Sequence, residues 1–221
     1  SLGRVKHLKE VKWTNSRDEQ LDGFEIDNSS VKDNHVDGSP PSQLPSSQQD
    51  HAVVNEDSAT RYIIYFGGNA DDVWKSTPVL NHPRTVSRSL NYPGFAASEG
   101  DISEENILNS MKDWVNSLGF KSTDRLTFIG RSLGSGVATQ IAYWVQQQGI
   151  VNPEKLSLVL ITPYDALWKV GRSRFPWIPV NLIMTSRLES DLVIGDFRGD
   201  LHIVISEVDT RVPHDRTQEL V

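Results

Sequence analysis

The sequence contains no cysteine. That excludes disulfide frameworks, thiolate nucleophiles and cysteine-ligated metals. It leaves the compartment open between cytoplasm, periplasm and membrane anchoring, since all of them accommodate a cysteine-free chain. Basic residues are also scarce: 22 Lys and Arg stand against 29 Asp and Glu, a formal net charge of −7. Nucleic acid is therefore not an expected partner, because phosphate binding draws on a basic patch and none is present. Long apolar runs are missing as well, and nothing approaches the ~20 consecutive residues that span a bilayer. Membrane association would need a segment outside these residues. The first residue is Ser1 rather than methionine, which leaves room for a removed leader or anchor. No His/Asp/Glu cluster has ligand spacing, so no metal and no cofactor are expected.

One long stretch is poor in apolar residues. From Asn28 to Ala59 the composition shifts towards Ser, Asp, Asn, Gln and Pro, with Pro40, Pro41 and Pro45, and the apolar residues are few and scattered. Such a segment cannot bury a core face, and it reads as a mobile surface insertion, with a lid or partner-binding loop as the functional alternative. Asn28-Ser29-Ser30 matches a glycosylation acceptor, a pattern too short to carry weight. The remainder is long enough for one well-buried α/β domain over residues 1–221.

What the chain does have is centred on Leu126 to Ala142. The apolar run Leu126–Ile129 reads as a buried strand, Gly130-Arg131-Ser132-Leu133-Gly134 as a tight turn, and Val137, Ile141 and Val145 as one face of a helix. Gly130 and Gly134 flank a serine where side chains would collide with strand and helix. Strand, sharp turn and helix lift the Ser132 hydroxyl clear of a sheet, and the helix N-terminus favours negative charge beside it. This is the G-x-S-x-G nucleophile elbow in its proper context. A phosphate loop is a poor second reading, since neither G-x-x-x-x-G-K nor G-x-G-x-x-G is present.

The flanking elements alternate. Val11, Trp13, Phe24 and Ile26 fit two short strands around turn residues Asn15–Gln20 and Asp22-Gly23. Arg61–Phe66 is a strand covered on both faces, Val73–Leu80 a short helix, Val86–Leu90 a weaker strand and Asn91–Phe95 a loop. Asp101-Ile-Ser-Glu104 reads as a capping box for a helix with Ile107, Met111, Trp114, Val115 and Leu118 on one stripe, stopped by Gly119. The elbow helix ends near Gly149, and Leu156–Ile161 and Leu201–Ile205 are further strands. The expected fold is α/β, a mostly parallel central sheet with helices on both faces. Residues 166–200, with Trp168, Phe175, Trp177, Ile178 and Pro179, form either an aromatic flap over the site or packing beneath the sheet.

Several stretches taken together resemble the serine α/β hydrolases of the monoacylglycerol-lipase and acyl-protein-thioesterase-like group, chiefly bacterial members of unassigned substrate. They are Tyr65-Phe-Gly-Gly-Asn-Ala70, Asn91-Tyr-Pro-Gly-Phe95 with Ser98-Glu-Gly100, Gly130–Gly136, Thr162-Pro-Tyr-Asp165 and Glu207-Val-Asp-Thr-Arg-Val-Pro213, in order from Tyr62 to Pro213. The resemblance implies a hydrolase of carboxylic esters or thioesters with an apolar acyl group. Ser132 would be the nucleophile, Asp209 the acid, and the N–H groups of Asn69 and Leu133 the oxyanion donors. Glu207 is the competing acid, and Asp165 is structural in this pattern. Most members of that group carry histidine where this chain has Gly67, while a bacterial subset shares the glycine.

The triad base is not found. In this fold the order along the chain is Ser, Asp, His, and twelve residues follow Asp209. His214 opens what reads as a helix and matches no position for the base; His202 reads as a core histidine within a strand, and His7, His35, His51 and His82 precede the elbow. The expectation is a chain that stops before its last strand and its histidine. The alternative is a binding protein on the same scaffold that has lost the base. Either way, these 221 residues alone are expected to hydrolyse esters weakly.

Overall fold

The computed structural model describes residues 5–31, 59–69, 71–162 and 193–204. Strands β1 (Leu8–Thr14) and β2 (Gln20–Asp27) form an N-terminal hairpin. Then come β3 (Arg61–Phe66), β4 (Val86–Leu90), helix α1 (Glu104–Ser117), β5 (Arg125–Arg131), helix α2 (Leu133–Gln148), β6 (Leu156–Ile161) and β7 (Asp200–Val204). All seven described strands lie in one sheet ordered β1-β2-β4-β3-β5-β6-β7. The hairpin is antiparallel to its neighbours, while β4, β3, β5, β6 and β7 run parallel.

The apolar runs explain why the parallel strands sit in the middle. In β3, Ile64 and Phe66 join the cluster that α1 and α2 build, whereas Ile63 and Tyr65 point to a second cluster with Phe24, Ile26, Val73 and Leu80. A strand covered on both faces needs apolar residues at every position, not every second one. The stripe Ile107, Met111, Trp114 and Val115 of α1 is buried in the same cluster as Val137, Ile141 and Val145 of α2. Gly149, left-handed with φ 62°, ends α2 as a helix C-terminus favours.

Strand order sets the carboxyl ends of β3 and β5 side by side. From β3 the chain moves outward to β4, then crosses back through α1 to put β5 on the other side of β3. The connections after β3 and β5 therefore diverge at the carboxyl ends of these two strands, the position at which open α/β sheets bind ligands.

Five local readings change. Asp22-Gly23 is no turn but the middle of β2; a side chain at Gly23 would lie 2.0 Å from the Ser89 carbonyl oxygen of β4, so glycine marks close backbone approach. Helix α1 is capped by Ser103, whose side chain accepts from Asn106 N–H, rather than from Asp101. Residues 73–80 form one 3-10 turn, Val73–Ser76, not an α-helix; Pro78 has no N–H with which to continue the ladder. His202 is exposed, as are Leu201 (39%) and Val204 (49%), because β7 is the outermost described strand on its side. Asn28 is buried, and its amide donates to Asn81 Oδ1 (2.7 Å) and the His82 carbonyl (3.0 Å), so it is a structural residue and not a surface acceptor.

Candidate active site

Ser132 stands between β5 and α2 with φ 50° and ψ −119°. A positive φ is costly for a residue with a Cβ, of order 1–3 kcal/mol, and persists only where surroundings enforce it. Those surroundings are visible. The Ser132 N–H donates to the Ile161 carbonyl (3.0 Å), and its carbonyl accepts from Ser135 N–H (2.8 Å) and Ser135 Oγ (2.6 Å). A Cβ at Gly130 would lie 2.2 Å from the Gly134 oxygen, and one at Gly134 would lie 2.1 Å from the Phe66 oxygen. Strand, helix and the end of β3 are thus pressed together around the serine, and only glycine fits at either contact.

Ser132 also occupies the N-cap position of α2. A serine there ordinarily spends its hydroxyl on the N–H of the second or third helical residue. Here the side chain makes no such bond. The half-buried hydroxyl is held at the helix N-terminus without being used to cap it.

The connection after β3 runs alongside. A Cβ on Gly68 would sit 3.6 Å from Ser132 Cβ and 3.4 Å from the Arg131 oxygen. Gly67 and Gly68 are buried and Asn69 is exposed at the tip of a turn closed by Asp71 N–H to the Gly68 carbonyl (3.2 Å). The structure therefore brings together Ser132, Leu133 and the Gly68–Asn69 turn. Asp209, Glu207, His214 and Asp165, together with most of the 28–59 and 166–200 segments, lie outside the described residues. Of the latter, residues 193–199 run beside α2: Gln146 Nε2 donates to the Asp196 carbonyl (2.9 Å) and Gln146 Oε1 accepts from Arg198 N–H (2.6 Å). Gln146 is about 21 Å along the helix axis from Ser132.

Asp71, Tyr65, Arg131 and Tyr92 support the turn. The Asp71 carboxylate accepts from Gly68 N–H (3.3 Å) and Tyr65 OH (3.4 Å) and lies 3.6 Å from Arg131 Nη1. Tyr92 OH donates to the Gly67 carbonyl (3.0 Å). Burial, more than the neighbouring Asp71 charge, pushes the Tyr65 phenol above the ordinary tyrosine range, so it stays protonated as the donor. None of these contacts stands out in a linear reading. The spacing of Asp71, three residues after Gly68, was the available signal, because aspartate so placed commonly takes a backbone N–H of its own turn.

No protein-family model matches the chain. An uncharacterized protein of Mycobacterium tuberculosis, found in two strains, is 24% identical over 165 residues, covering 72% of this chain and 56% of its own length. The chain thus spans little more than half the length of the curated relatives it matches. An esterase of Pyrococcus furiosus, solved in two crystal forms, superposes with TM-scores of 0.58 and 0.60 at 18% and 16% identity, over 96% of this chain and 75% and 76% of the esterase. An α/β hydrolase of Vibrio vulnificus superposes at 0.50 with 14% identity, over 75% of this chain and 49% of its own. The chain has the α/β-hydrolase fold. Within that fold the β5–α2 turn is where a nucleophile elbow sits and the β3 connection is where an oxyanion loop sits.

Proposed function

We propose that this protein is a serine hydrolase of carboxylic esters or thioesters, similar to the monoacylglycerol-lipase and acyl-protein-thioesterase-like group. The observation that carries the reading is the strained Ser132, φ 50°, at a helix N-terminus with its hydroxyl unspent on capping and a glycine loop against it. The Ser132 oxygen attacks the carbonyl carbon while a base takes its proton. The tetrahedral oxyanion is held by the N–H groups of Leu133 and Asn69. Collapse expels the alcohol or thiol, which leaves with the proton, and water releases the acid from the acyl-enzyme. Asp209 is assigned as the acid that orients the base. The base this chemistry requires is a histidine, and none of the six in the sequence is assigned to it. Tests therefore use the full-length protein.

An apolar acyl group is proposed from the aromatic residues Trp168, Phe175 and Trp177, which the sequence supplies between β6 and β7. A single domain spanning residues 1–221 remains part of the same proposal. A fluorophosphonate probe tests the reading: the full-length protein should label, and Ser132→Ala should not. Hydrolysis of p-nitrophenyl esters of increasing chain length tests the acyl preference, with rising kcat/KM expected from acetate towards medium chains. A protein that binds such esters without labelling would favour a non-catalytic role.

A further inference from the structure

An oxyanion hole lowers a barrier only when its donors are fixed before charge develops. The β3 connection poses a problem in this respect, because Gly67 and Gly68 are consecutive glycines, the residues with the widest backbone freedom. Left alone, such a loop would sample many orientations of the peptide that follows.

The structure closes that freedom with two side chains. The peptide unit between Gly67 and Gly68 has its carbonyl held by Tyr92 OH (3.0 Å) and its N–H held by the Asp71 carboxylate (3.3 Å). The carbonyl and N–H of a trans peptide point in opposite directions, and no cis bond occurs among the described residues. The two side chains therefore grip one peptide plane from opposite sides. In the next unit the Gly68 carbonyl accepts from Asp71 N–H (3.2 Å). Three of the four polar groups in two successive peptides are thus engaged. The fourth, the Asn69 N–H, has no partner among the described residues and must leave the turn opposite to the Gly68 carbonyl.

We propose that Asp71 and Tyr92 are positioning residues that orient the Asn69 N–H as an oxyanion donor. The same geometry takes Gly68 N–H out of that role, since Asp71 occupies it. The phenol is well placed to act rigidly: Tyr92 is 2% exposed and packs edge-to-face on Phe95 at 5.4 Å. Its anchor is the preceding residue, Asn91, whose amide accepts from Val73 N–H (3.0 Å) and donates to Asp22 Oδ2 (3.1 Å). This inference rests on the hydrolase reading given above.

The test compares Tyr92→Phe, Asp71→Ala and Asp71→Asn in the full-length protein, with a p-nitrophenyl ester as substrate and an alkyl boronic acid as the tetrahedral mimic. Tyr92→Phe and Asp71→Ala should lose roughly tenfold to a hundredfold in kcat, with KM within twofold, and boronate affinity should fall in step. Asp71→Asn keeps an oxygen that accepts from Gly68 N–H and should recover most of the loss. Thermal unfolding midpoints identify any variant that merely unfolds, and the Asp71→Asn rescue then carries the comparison. Unchanged kcat and boronate affinity in folded Tyr92→Phe and Asp71→Ala would overturn the inference, as would an Asp71→Asn variant as impaired as Asp71→Ala. A wild-type protein that never labels at Ser132 would instead remove the hydrolase reading beneath it.

Discussion

At the scale of single residues, the site depends on places where a side chain cannot exist. Gly134 has the Phe66 and Gly67 carbonyl oxygens 2.1 and 2.6 Å from where its Cβ would be. Both are backbone atoms at the end of β3, so no rotamer change relieves the clash. Gly134→Ala should lower stability by about 1–3 kcal/mol and, by pushing the β3 connection away from Ser132, reduce fluorophosphonate labelling as well. Urea midpoints and labelling rates measured together check this. Normal stability with normal labelling would mean the turn is looser than described. Asn91 works in the opposite way, through what it satisfies. Asn91→Ala leaves the buried Val73 N–H without its acceptor and Asp22 without one donor, an expected loss of about 1–3 kcal/mol in a urea titration. The glycines were legible in the sequence because G-x-S-x-G is a local pattern. Asn91, Asp71 and Tyr92 were not legible as supports, because each acts on a partner that only the folded sheet brings near.

At the scale of elements, the N-terminal hairpin is tied to α1 by Asn15 Nδ2 donating to Ser110 Oγ (2.9 Å) and by the Glu19 carboxylate. Glu19 accepts from Asn15 Nδ2 (2.7 Å) and Asn106 Nδ2 (3.0 Å). Desolvation pushes its carboxyl up, but these bonds and the Arg17 charge outweigh it and hold it below the ordinary glutamate range. A carboxylate depressed in the folded state stabilises the fold above its unfolded pKa, and that contribution is lost as pH falls through the folded value. Glu19→Gln should therefore differ most from wild type at neutral pH, and the gap in urea midpoint should narrow on acidification below the ordinary glutamate range. A gap independent of pH would contradict the assignment. Element type was largely readable, since β3, β5 and β6 are continuous apolar runs and α1 and α2 carry helical stripes. Boundaries and caps were less so. Ser103 and Asp101 are both able to cap, and the choice falls to the backbone, extended at Ser103. Gly23 reads as a turn residue in the sequence, which carries no sign that β4 passes within contact distance.

At the scale of the whole molecule, the reversal of strand order between β4 and β5 is what brings Ser132 and the Gly67–Asn69 connection to the same end of the sheet. The most protected amides in native-state hydrogen exchange should lie in β3, β5 and β6, which are paired on both sides by parallel neighbours, and the least protected in β1, one of the two outermost described strands. Fold class followed from the alternation of strands and helices, whereas the exposed His202 and Leu201 of β7 did not, because hydropathy alone cannot tell a central strand from an outer one. The account stands or falls on the nucleophile. Trypsin cleavage after Arg131 gives a peptide from Ser132 to Lys155, and mass spectrometry of the full-length protein treated with a fluorophosphonate reads it directly. The account predicts the probe's mass on Ser132 within that peptide and none in Ser132→Ala; an unmodified peptide, or a label on another residue, would contradict it.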